Sequence, residues 1–71
     1  MNTPMPTREL VIRCLALSGA TENETAAVLA LIPDEIQQLD WLDWLEMNPE
    51  ADMDQIIWAA RDIHRGLAPG A

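Results

Sequence analysis

Trp58, Arg61 and Arg65 follow one another at intervals of three and four residues, so on a helix they stand one turn apart along a single face, with Asp54 on the same side. Tryptophan and arginine are the residue types most enriched in interface hot spots, and an indole stacked with a guanidinium loses little entropy on binding. The chemistry this group offers is docking. Its structural alternative is that Trp58 packs on the first helix or the N-terminal arm while the arginines pair with nearby acids. Trp41 and Trp44 add two more indoles in a chain without phenylalanine or tyrosine. One of them is expected to fill the core. A domain this small cannot hide three, so at least one tryptophan should be exposed or covered by a second subunit.

Bond-making chemistry finds less support. His64 is the one histidine and Cys14 the one cysteine. Neither has the second ligand that a metal site requires, and no nucleophile and base are paired. His64 sits near the end of a helix, where an imidazole complements the dipole, and Cys14 is expected to be a small buried hydrophobe. With no glycine-rich phosphate loop and no metal-ligand spacing, the sequence points to no enzyme and to no cofactor.

The elements that must position these groups fit in one domain. The chain has 71 residues and 7.9 kDa, 49% hydrophobic and 23% charged, which is enough apolar side chain for a core. Twelve acids face four bases, all arginine, for a net charge of -8 and a pI near 4.1. That balance disfavours phosphate and DNA binding. The longest apolar run, Ala26 to Pro33, is far short of the ~20 residues that span a bilayer. The absence of a basic leader and a lone cysteine together fit a reducing, cytoplasmic setting.

Turn and cap signals divide the chain into four helices, near residues 8 to 18, 22 to 30, 33 to 46 and 50 to 65, with residues 1–7 and 68–71 frayed. Thr7 is placed to cap the first helix, and Gly19 to stop it. Thr21 and Glu24 form a capping box, and Pro33 and Pro49 suit first helical positions. Gly66 ends the fourth helix. Around Trp41-Leu42-Asp43-Trp44-Leu45 apolar groups fall on nearly every side, so the third helix bends near Asp40 or is covered on two sides. No segment alternates as a strand does. The expected core is Leu10, Cys14, Leu17, Ala26, Leu29, Ile32, Ile36, Leu39, Ile56, Ala60 and Ile63, giving an all-α, compact bundle of about four short helices.

Within it, the segment Thr21 to Leu39 resembles the helix-turn-helix unit of bacterial and phage repressors and of the promoter-reading domain of sigma factors. Ala26, Ala30, Ile32, Ile36 and Leu39 stand where that family places a small residue, a turn glycine and three apolar wedge residues. The resemblance implies that residues 26, 32, 36 and 39 pack between crossing helices, and that the third helix is the reading helix. Ala30 departs from the turn glycine. The face offered to DNA would carry Asp34, Glu35, Gln37, Gln38 and Asp40, of which only Gln37 and Gln38 suit base edges.

Two functions follow. The first is a small acidic protein-binding module, a regulator or inhibitor that occupies a partner through Trp41, Trp44, Trp58, Arg61, Arg65, Asp34 and Glu35. In size and charge it resembles the compact inhibitors of phages and mobile elements, including anti-CRISPR proteins and transcription-factor antagonists. The second is a dimeric helix-turn-helix DNA-binding regulator reading bases with Gln37 and Gln38 while arginines touch phosphates. Charge favours the first, with a protein as partner, a homodimer possible and no membrane involved.

Overall fold

The computed structural model describes residues 5–69. Four helices make up the fold: α1 (Thr7–Leu17), α2 (Glu22–Leu31), α3 (Glu35–Met47) and α4 (Met53–His64), with no strand among the described residues. The all-helical architecture is as the sequence predicts.

Local chemistry explains most of the boundaries. Thr21 accepts from the Glu24 amide at 3.1 Å while the Glu24 carboxylate accepts from the Thr21 amide at 2.8 Å, which is the expected box. Gly19 and Gly66 take φ of 85° and 79°, and each is followed by an amide that reaches back to close the helix end: Ala20 to the Leu15 carbonyl, Leu67 to that of Asp62.

Three boundaries differ from expectation. Thr7 is the first helical residue instead of the cap, because the Pro6 carbonyl accepts the amides of Glu9 and Leu10. Pro33 precedes α3 in the link, and Asp34 is the N-cap, its amide donating to Gln37 Oε1 at 3.2 Å. Pro49 lies in a turn and α4 starts later. Asp52 and Gln55 exchange reciprocal hydrogen bonds of 2.9 and 3.0 Å, and this box sets the start that Asn48-Pro49 was expected to provide. The frayed ends predicted for residues 1–4 and 70–71 lie outside the described residues. Thr7 is helical, and Pro69 is half-buried.

Each helix packs on two others. α1 lies on α2 and α3, and α4 lies on α2 and α3, so α2 and α3, joined only by Ile32-Pro33-Asp34, occupy opposite corners and do not pack on each other. α3 runs unbroken through Asp40 because α1 and α4 cover it on two sides. The centre is filled by Val11 and Leu15 of α1, Val28 and Ile32, Trp41 of α3, and Ile56, Ala59, Ala60 and Ile63 of α4.

Several expected core residues lie outside it. Leu10, Leu17, Ala26, Ile36 and Leu39 are exposed, while Cys14 and Leu29 are half-buried. The reason is the size and place of Trp41. With its indole at the centre, α3 turns Gln38, Trp41, Leu42 and Leu45 toward its neighbours, and Ile36, about 140° from Trp41 around the helix at about 100° per residue, must face solvent. On α1 the inward stripe is Val11 and Leu15, displaced by one residue from Leu10, Cys14 and Leu17. The wedge implied by the helix-turn-helix resemblance keeps only Ile32, since Ala26, Ala30, Ile36 and Leu39 are all exposed.

Candidate functional site

α4 is the most strongly two-faced helix. Ile56, Ala59, Ala60 and Ile63 recur at three- and four-residue intervals and are buried, so helical geometry sends Asp54, Trp58, Arg61 and Arg65 to the opposite side. All four are exposed, and Trp58 keeps 65% of its surface open to solvent. An indole usually finds cover in a folded domain, and here none is supplied by α1 or by the described part of the N-terminal arm. Trp58, Arg61 and Arg65 are thus brought together as a surface group.

The other two tryptophans part company. Trp41 was expected among the partner-binding residues, but it is completely buried, and its indole N–H donates to the Ile56 carbonyl at 3.2 Å. It is a core residue: the ring is enclosed and its one polar atom is satisfied inside the fold. Trp44 is half-buried and lines an open groove of about 730 Å³ between α3 and the end of α4, with Asp40, Asp43, Met47, Leu67 and Pro69.

Asp34 and Glu35 are exposed at the start of α3, and Glu35 accepts a long hydrogen bond of 3.4 Å from Thr7. Gln37 is half-buried and engaged at the Asp34 amide. Gln38 cannot reach a base edge. It is 5% exposed, and its amide nitrogen donates to the carbonyls of Ile32 at 3.0 Å and Pro33 at 3.5 Å, tying α3 to the link that precedes it.

His64 has a structural role. Its Nδ1 lies 2.9 Å from the Leu31 carbonyl, joining the end of α4 to the end of α2, and because a carbonyl only accepts, Nδ1 carries the proton. Cys14 is half-buried and free. Among the described residues no group of three or more His, Cys, Asp or Glu side chains is arranged to hold a metal ion, and no helix is long and apolar enough to cross a membrane.

A second surface stripe is absent from the sequence expectations. Ile36, Asp40, Asp43 and Met47 run along the outer face of α3, all exposed, Ile36 at 75% and Met47 at 82%. Their spacing of four, three and four is the same as that of Asp54, Trp58, Arg61 and Arg65. That equality is legible in the sequence, but assigning Ile36 to the core concealed it. The two stripes also differ in charge: from Cys14 to Ala60 the chain contains no arginine, lysine or histidine, so every charged residue of α3 is acidic, whereas the last turn of α4 holds Arg61 and its C-cap is Arg65.

Comparison with protein-family models, curated proteins and solved structures finds no match for this chain.

Proposed function

We propose that this chain is a small acidic, non-catalytic protein-binding module, a regulator or inhibitor of the kind phages and mobile elements carry against defence or transcription proteins, and that it acts by occupying a partner protein. The observation that carries this reading is Trp58, an uncovered indole flanked by Arg61 and Arg65 on the face of α4 opposite the core. Such a residue contributes nothing to the fold's interior, and an aromatic and arginine patch is what protein interfaces bury at their centres. The acids keep nucleic acid away, as a net charge of -8 repels a phosphate backbone. Support for protein over DNA also comes from Gln38, which is spent inside the molecule, and from α3, whose outer face presents carboxylates.

The test is capture of a partner from lysate with and without nuclease, followed by titration of the purified pair. Trp58→Ala should weaken that complex by about 2 kcal/mol or more while circular dichroism shows an intact fold. Partner binding equal to the parent's would end the hot-spot reading. The parent chain should show no binding to random duplex DNA at about 150 mM salt, and affinity that falls steeply with salt would favour the DNA-binding regulator instead.

A further inference from the structure

Two exposed helix faces on one molecule match each other in spacing and oppose each other in charge. On α3 the stripe is Ile36, Asp40, Asp43 and Met47; on α4 it is Asp54, Trp58, Arg61 and Arg65. Intervals of four, three and four are the seam spacing by which two helices interdigitate side by side. Laid antiparallel, the stripes pair in one register: Ile36 with the aliphatic stem of Arg65, Asp40 with Arg61, Asp43 with the edge of Trp58, and Met47 beside Asp54 and the Trp58 ring. The register covers exposed apolar side chains that the fold leaves open, and it sets the acids of α3 on the cationic end of α4.

The pairing cannot form within one chain, because both stripes point away from the core. α3 and α4 are, however, neighbours in the bundle. Under a two-fold axis a copy that seats its α4 on this α3 also receives this α4 on its own α3, so the contact closes at two copies.

We infer that a second copy of this chain is the protein that covers the Trp58 face, through an antiparallel α3-on-α4 contact made twice. This rests on the reading of Trp58 as a docking residue and names its occupant in the free protein. A foreign partner that uses Trp58 must then displace one copy, which couples inhibition to dimer dissociation. Repulsion between two acidic chains opposes assembly, and it is screened beyond about 8 Å at physiological ionic strength whereas the Asp40–Arg61 contact is not.

The experiment is sedimentation equilibrium of the full chain, its single charge reversals and their mixture. The parent is expected to be a dimer at about 100 µM, in the micromolar range typical of small reversible contacts. Asp40→Arg alone and Arg61→Asp alone each place like charges at both contacts and should weaken dimerisation at least about tenfold, the effect of a 1.4 kcal/mol change. Mixed in equal amounts, these two variants should pair as a heterodimer near parent affinity, because one contact then joins the two reversed residues with opposite charges and the other keeps the native Asp40–Arg61 pair. All the altered residues are exposed, and unchanged helical circular dichroism excludes misfolding as the cause. A monomeric parent overturns the inference, as does a dimer insensitive to both reversals or a mixture that stays monomeric. A monomer whose capture of a foreign partner still depends on Trp58 leaves the docking reading standing alone. A monomer with no such dependence removes both.

Discussion

The indole N–H of Trp41 donates to the carbonyl of Ile56 at 3.2 Å, with both side chains buried, so α3 and α4 are joined at the centre of the molecule by a hydrogen bond as well as by packing. That bond fixes the rotation of α3 about its axis. Trp41→Phe keeps a large ring but orphans the geometry, and it should cost about 1 to 2 kcal/mol. Trp41→Ala should cost about 3 to 5 kcal/mol through the cavity it leaves. Urea unfolding followed by far-ultraviolet circular dichroism measures both, and a Phe variant as stable as the parent would show that the ring alone positions the helix.

Ile36 and Leu15 are both large aliphatic residues on helices, yet they should respond oppositely to truncation. Leu15→Ala opens a cavity in a fully buried position and is expected to cost about 2 to 5 kcal/mol. Ile36→Ala removes a side chain that is 75% exposed and should change stability by no more than about 0.5 kcal/mol. Chemical unfolding of the two variants side by side decides this. A large cost at Ile36 would restore the wedge packing of a helix-turn-helix.

Gln38 offers a pH-dependent test. Gln38→Glu replaces an amide donor by a carboxylate facing the Ile32 carbonyl, and the lost bond and buried like-polarity contact should cost about 1 to 3 kcal/mol at neutral pH. Burial and the facing carbonyl raise the introduced carboxyl's folded-state pKa above its unfolded value, so folding of the variant takes up a proton as pH falls. The deficit relative to the parent is therefore full above that folded pKa and shrinks below it, where the protonated acid donates to Ile32. Unfolding free energies of both proteins from neutral to acid pH measure it, and a deficit independent of pH would place residue 38 in water.

For His64 the expected outcome is spectroscopic. Long-range nitrogen–proton NMR should report the Nδ1-protonated tautomer when the ring is neutral, because the Leu31 carbonyl accepts from that atom at 2.9 Å. His64→Ala should cost about 0.5 to 1.5 kcal/mol and loosen the ends of α2 and α4 together in hydrogen exchange. An Nε2-protonated ring would break the link between these helix ends.

The helices themselves were legible because their determinants are local. A capping box at Thr21 and Glu24, a glycine with positive φ after each of α1 and α4, and the apolar stripe of α4 all act within a few residues. The outward place of Trp58, Arg61 and Arg65 follows from the same periodicity. The faces of α1 and α3 were not legible, since each carries apolar residues on more than one side and spacing alone admits several inward stripes. Tertiary packing chose among them. The largest fully buried side chain, Trp41, took the centre and found the Ile56 carbonyl, which rotated Ile36 and Leu39 outward and carried Gln38 inward to the Ile32 carbonyl. The choice is cooperative: a buried indole and a buried amide are stable only when each finds an acceptor, and both acceptors belong to residues that are distant along the chain or set in the preceding link. Sequence therefore determined the elements and the exposed tryptophan and arginine face of α4, and the packing of α3 between α1 and α4 decided which side chains of α3 stay in solvent.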